Sequence, residues 1–138
     1  MTIAQTLTTS FKQDSFLAVH NFATDTFKIA LYTANASIGS DTTVYVTDGE
    51  VTGTGYVAGG NTLIGATVSV SGTTAYVDFA NSTWASASFT ARGALIYNAS
   101  KGNKSVAVLD FGADKTSTTS FTVQMPSNTA TSALIRFP

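Results

Sequence analysis

The sequence predicts an all-β protein: a single antiparallel β-sandwich or jelly roll preceded by a short N-terminal helix. Three observations predict it. From Thr26 onward apolar residues recur with a period of two, in short runs separated by Gly, Asn, Asp and Ser. Thr and Ser make up roughly a quarter of the chain, while Leu, Lys and Glu are scarce, which disfavours long helices. Thr, Val, Ile, Tyr and Phe suit a pleated, half-buried surface, and uncharged hydroxyls face solvent or a neighbour without the desolvation cost of Lys or Glu.

The elements follow in order. Residues 1–9 alternate weakly through Ile3 and Leu7 and read as an extended arm. Residues 10–20 read as a helix, with Ser10 as N-cap, Phe11, Phe16, Val19 and His20 near helical spacing, and Asn21 as the stop. Thr26–Thr33 is a strand that places Phe27, Ile29 and Leu31 on one face and Lys28, Ala30 and Tyr32 on the other. Thr43–Val46 reads as a short strand. The passage from Gly49 through Gly53, Gly55, Gly59 and Gly60 reads as sharp bends or close backbone approach. Leu63–Phe79 is a hairpin turning at Ser71 and Gly72, and Ala80–Ser86 reads as a loop. Ala87–Tyr97 and Ser105–Phe111 are apolar on both faces, as central strands are. Ser120–Met125, stopped by Pro126, and Ser132–Phe137 complete the set, and residues 1–138 form one module without repeats or linkers.

Arg92 and Asp110 each interrupt an otherwise uncharged central strand, and they lie equally far in sequence from Lys101. A symmetric hairpin about Lys101 sets them opposite one another, as a cross-strand ion pair that fixes register. If that pair is buried, removing one partner costs about 3 to 5 kcal/mol.

Composition limits the functions on offer. Charged residues are 11 % of the chain and the formal net charge is −1, so there is no basic footprint for nucleic acid and no polybasic patch for an anionic membrane. The chain has no cysteine, which removes disulfides, thiolate metal sites and cysteine nucleophiles and suits a reducing cytosol. Residues 1–9 lack a basic n-region and an apolar core, and no apolar run approaches the ~20 residues of a membrane helix. The expectation is a protein neither conventionally secreted nor membrane-spanning.

Catalytic and metal chemistry find little footing. His20 is the single histidine, and at a helix C-terminus it reads as a capping or packing residue. Asp78, Asp110 and Glu50 fall on different elements, so no local spacing builds a carboxylate dyad. Gly53–Gly60 lacks the Lys-Ser/Thr ending and the following helix of a phosphate loop. Gly39–Thr42 and Asp48–Glu50 offer oxygen ligands without calcium-loop spacing and read as solvated turns. No catalytic residue, metal or cofactor is expected. Trp84, placed in a loop, with Tyr45, Tyr56, Tyr76 and Tyr97, offers a platform for a partner or a sugar.

The strings Thr52-Gly-Thr-Gly-Tyr56 with Gly59-Gly60, Trp84, Phe89-Thr-Ala-Arg-Gly-Ala-Leu-Ile-Tyr-Asn98 and Leu109-Asp-Phe-Gly112 resemble a family of small virion structural proteins of tailed bacteriophages. The resemblance runs from about Phe27 to the C-terminus. It implies a non-enzymatic cement or decoration protein of β-sandwich or jelly-roll fold, bound to the major capsid protein at the capsid surface after assembly in the host cytosol. Cementing by many weak contacts suits Thr/Ser surfaces, low charge and an N-terminal arm, with Ile3, Leu7, Tyr56 and Trp84 as candidate interface residues. A homodimer or homotrimer on a capsid symmetry axis would multiply those contacts. The alternative is a carbohydrate- or receptor-binding module of a fibre or tail that uses Trp84 and neighbouring tyrosines.

Overall fold

The computed structural model describes residues 2–138, which form antiparallel sheets and one short helix. In chain order the elements are β1 (Thr6–Leu7), α1 (Thr9–Phe16), β2 (Phe27–Tyr32), β3 (Asn61–Thr62), β4 (Thr67–Ser71), β5 (Thr74–Asp78), β6 (Ser82–Ala85), β7 (Phe89–Asn98), β8 (Lys104–Ser117), β9 (Ser120–Val123) and β10 (Ile135–Phe137). They form a five-stranded sheet of order β1-β8-β7-β2-β3, a three-stranded sheet of order β10-β5-β4, and the pair β6-β9.

The expected alternation decides how these sheets pack. Phe27, Ile29 and Leu31 of β2, with Ala94 and Ile96 of β7 and Val106 of β8, meet Val77 and Phe79, Trp84, Phe121, Val123 and Ile135 from the two smaller sheets. The opposite face of the large sheet is buried as well. Ala30, Tyr32, Leu95, Tyr97 and Val108 lie there under Ile3, Ala36, Ile38 and Tyr45. Two buried faces explain why β7 and β8 lack a polar side.

The helix is shorter and earlier than residues 10–20. Thr8, extended at φ −70° and ψ 151°, is the N-cap, and its hydroxyl accepts from the Phe11 N–H. After Phe16 the Leu17 and Val19 N–H groups both turn back to the Asp14 carbonyl, and Ala18 adopts a left-handed φ of 56°. Val19 and His20 therefore lie outside the helix, and Ser10 and Asn21 are neither cap nor stop. Residues 2–7 lie against the sheet: Ile3 bridges Ile38 in parallel, and β1 pairs with β8 through Thr6–Val108 and Leu7–Ala107.

Three further expectations change. Thr43–Val46 forms no strand, because it crosses the β7–β8 turn and touches it only around the Val44–Lys104 bridge. Ala80–Ser86 is not a loop: Ser82 and Trp84 point inward, Thr83 and Ala85 outward, and this alternation makes β6. The β4–β5 hairpin forms with its turn at Gly72 and Thr73, one residue later than expected. Gly72 takes φ 60°, as the first central position of a two-residue hairpin turn requires.

Candidate functional site

An open groove of about 520 Å³ lies beside the outer half of β8 and the length of β9. Leu109, Phe111, Phe121 and Val123 line its apolar part, and Gln5, Lys115, Thr116 and Gln124 its polar rim. A second groove of about 310 Å³ runs on along β1 past Leu7 and Ala133. Gln5, Leu109 and Pro126 line both, so the two are continuous. β1 covers β8 only at Ala107 and Val108, and no other strand pairs with that edge among the described residues.

Asp110 sits at the junction of this groove with the central hairpin. Arg92 Nε donates to Asp110 Oδ1 at 3.2 Å, so the two charges do meet. Their register differs from the symmetric hairpin, since Asp110 is paired with Gly93. Asn98 and Lys104 are paired symmetrically about Lys101, but β8 places an extra residue, Val106, between the partners of Ile96 and Tyr97. That bulge slips the pairs from Ile96 to Gly93 by one, and a second irregularity between Gly93 and Ala91, whose partners are Asp110 and Lys115, shifts the remaining pairs by three more. The pair is also not buried: the two side chains keep 33 % and 27 % of their surface exposed. The large penalty of a buried, uncompensated charge therefore does not apply. The Gly112 N–H holds the Asp110 carboxyl below the ordinary carboxylate range, with Arg92 adding to it against some desolvation.

The most connected polar centre is Glu50, which the sequence reads as part of a solvated turn. Its Oε1 accepts from the Tyr45 hydroxyl at 2.6 Å, and its Oε2 accepts from the Tyr56 hydroxyl at 2.6 Å and the Gly59 N–H at 2.8 Å. The Tyr56 hydroxyl in turn accepts from the Leu31 N–H in β2, and the Tyr97 hydroxyl donates to the Gly59 carbonyl. Tyr45 and Tyr97 stack at a centroid distance of 4.9 Å. The glycine passage is thereby tied to the sheet at both ends. Burial first, then Glu50, pushes the Tyr97 phenol up to about 12, and the same two causes raise Tyr32, Tyr45 and Tyr56 further. One signal in the sequence points here: Glu50 lies between Tyr45 and Tyr56 at the head of a run from Val51 to Val77 without a charge.

The four candidate interface residues do not come together. Trp84 is 3 % exposed and packs against Phe121 and Tyr56, so its ring is part of the core and offers no stacking platform. Tyr56 is half-buried and occupied by Glu50. Ile3 is buried against the rear of the large sheet, and only Leu7 lines a groove.

His20 belongs to a separate network. Asn98 Nδ2 lies 3.0 Å from His20 Nδ1 and donates to Asp25 Oδ2 at 2.8 Å, and Lys101 Nζ reaches both Asp25 oxygens at 2.9 Å. Burial lowers the His20 pKa, opposed by Asp14 and Asp25. This network ties the segment after α1 to the β7–β8 turn. Among the described residues no group of three or more His, Asp or Glu is placed to hold a metal ion, and no helix is long and apolar enough to cross a membrane.

Comparison with protein-family models, curated proteins and solved structures finds no match.

Proposed function

We propose that this chain is a non-enzymatic structural protein of a tailed-bacteriophage virion, cementing or decorating the capsid shell by non-covalent contacts with the major capsid protein. The observation that carries this reading is the continuous groove along β1, β8 and β9, apolar within and rimmed mainly by uncharged hydroxyls and amides. Such a surface favours an extended polypeptide: beyond Gly112 no strand lies against this edge of β8 among the described residues, and Phe111 and Leu109 offer side-chain contacts. The resemblance of the Thr52–Tyr56, Phe89–Asn98 and Leu109–Gly112 strings to small phage virion proteins supports it. Those same strings build the framework, through Tyr56 on Glu50 and Gly93 on Asp110, which suits a scaffold better than a catalyst. In this reading the large sheet and the two small ones are the layers of a β-sandwich or jelly roll, and the protein acts at the capsid surface.

The test is co-sedimentation with purified expanded capsids lacking this protein, alongside capsid resistance to heat. Binding and stabilisation are expected, and both are lost when Thr116→Arg and Gln124→Arg together fill the groove from its exposed rim. No binding, with capsid stability unchanged, defeats the proposal. The groove also sets the half-buried Phe111 beside Gln5, Gln124 and Asp110, an aromatic–amide–carboxylate set suited to a sugar. Glycan-array binding abolished by the same double variant, without capsid binding, would establish that carbohydrate-binding reading instead.

A further inference from the structure

We propose that two copies of this chain pair through β4, edge to edge and antiparallel, about a two-fold axis at Ser69. The inference is independent of the virion reading, because it concerns the isolated protein.

β4 is the outermost strand of the sheet β10-β5-β4, so one of its edges has no strand against it. Exposed edges in natural proteins are blunted by charge, proline or a bulge. β4 has none of these. Its sequence is Thr67-Val-Ser-Val-Ser71, its pairing with β5 is regular, and no residue from Val51 to Val77 is charged. Nothing in the strand opposes pairing with another strand.

The hydrogen-bond geometry selects which groups are free. In a two-residue hairpin the residues flanking the turn, here Ser71 and Thr74, exchange both backbone bonds, and such pairs then alternate along the ladder. Ser71, Ser69 and Thr67 therefore spend their backbone groups on β5. The N–H and C=O groups of Val68 and Val70 point to the open edge.

A second copy satisfies them by symmetry. The strand reads nearly the same in both directions about Ser69, so antiparallel pairing sets Val68 of one copy against Val70 of the other, and the converse. Each such pair exchanges both N–H···O bonds, and the two Ser69 residues face each other on the axis as a non-hydrogen-bonded pair. An isologous contact of this kind closes and does not propagate.

The side chains favour the same partner. Val68 is 62 % exposed and Val70 71 % exposed, and both lie on the face of their partners Val77 and Ala75. That face continues to Ile135 and to Phe137, itself 53 % exposed. Beneath it runs an apolar groove of about 200 Å³ that includes Phe11 and Phe22. Pairing at β4 joins the two valine stripes across the axis and covers each with the other. On the opposite face Thr67, Ser69 and Ser71 meet the same hydroxyl residues of the second copy, a neutral match.

Sedimentation velocity from micromolar to millimolar concentration tests this on the intact chain. The expected result is a concentration-dependent dimer, abolished by Val70→Lys with the melting temperature unchanged, since that side chain is exposed and its backbone bonds face outward. Ser69→Cys supplies the only thiol in the chain at the axis. On mild oxidation it should form a disulfide-linked dimer in large excess over Thr118→Cys, an exposed control in the β8–β9 turn. A parent protein that stays monomeric at millimolar concentration, a Val70→Lys variant that dimerises as the parent does, or Ser69→Cys linking no faster than Thr118→Cys would each overturn the proposal.

Discussion

Arg92 Nε lies 3.2 Å from Asp110 Oδ1, although the residue paired with Asp110 across the hairpin is Gly93. The ion pair is diagonal and partly exposed, while the register point beside it is a glycine enclosed by backbone and by Ile3. Register is therefore enforced by lack of room at Gly93 more than by attraction between charges. A Cβ on Gly93 would stand 2.6 Å from the Leu109 carbonyl oxygen and 2.8 Å from Ile3 Cγ2.

Gly93→Ala is accordingly expected to destabilise the protein more than Arg92→Ala. Forcing a methyl group into that space costs about 1 to 3 kcal/mol and loosens the N-terminal residues through Ile3. The Arg92→Ala loss is small and shrinks further at high salt, as for other exposed pairs. Urea unfolding of both variants, at low and high ionic strength, checks the ranking. A larger loss for Arg92→Ala would contradict it.

Glu50 is the polar centre whose removal is expected to hurt most. Glu50→Ala leaves the Tyr45 and Tyr56 hydroxyls and the Gly59 N–H without their acceptor. At the usual penalty for unsatisfied groups this costs about 2 to 4 kcal/mol. Glu50→Gln is expected to lose less, because its oxygen can keep Tyr56 and Gly59 while the Tyr45 hydroxyl turns to accept from the amide nitrogen. Thermal melting measures the loss, and limited proteolysis should show new cleavage between residues 52 and 60. A Glu50→Ala protein that melts with the parent would remove Glu50 from this role.

These two centres show what was legible in the sequence and what was not. Strands with a clean period of two, such as Phe27–Tyr32 and the β4–β5 hairpin, are visible because alternation reports burial directly. The central hairpin is visible too, but the Val106 bulge that slips its register is not, since no residue type there signals it. Trp84 reads as a loop aromatic because β6 is short and flanked by Asn81 and Ser86, yet Phe121 across the pair gives it a core partner. The helix boundary fails because Ala18 adopts a left-handed φ without a glycine to mark it. The groove was invisible for a different reason: β8, β9 and residue 5 are brought together only by the fold. Gly60 illustrates the general limit. A Cβ there would fall 1.8 Å from the Ile29 carbonyl oxygen, a contact between residues 31 apart that local pattern does not reveal.

Alkaline unfolding should follow from the tyrosines. Tyr97 ionises only near about 12 in the fold, and burial beside Glu50 raises Tyr32, Tyr45 and Tyr56 further. A raised folded-state pKa means that the unfolded chain loses these protons first, above about pH 10. The stability is thus complete below that pH and falls as pH rises, by up to about 1.4 kcal/mol per pH unit for each group. Phenolate absorbance and near-ultraviolet ellipticity, followed together in a base titration, should change in one cooperative step for these residues. Full tyrosine ionisation with ellipticity intact would refute the network.

Asp78 makes the opposite contribution to neutral stability. Its carboxyl is buried at the end of β5, Oδ1 accepts from the Phe79 N–H at 2.8 Å, and Oδ2 has no hydrogen bond of good geometry. Burial raises its pKa against the pull of the Phe79 and Leu134 N–H groups. With the folded pKa above the unfolded value of about 3.9, the stabilising protonated form is fully present below that value. Its contribution is lost as pH rises through the folded pKa, above which the native state holds a buried, incompletely paired charge. Asp25 behaves in reverse. Burial alone would raise it, but Lys101 and Asn98 hold it down to about 2, so its stabilisation is present above about pH 4 and lost as pH falls through about 2. Asp78→Asn keeps the acceptor for Phe79 without the charge. It should raise the melting temperature at pH 7, and that advantage should vanish toward pH 4, whereas Asp25→Asn should lower the melting temperature at pH 7. Melting curves of the three proteins between about pH 3 and pH 8 decide the matter, and an Asp78→Asn variant less stable than the parent at pH 7 would show that the carboxylate is better accommodated than its surroundings indicate.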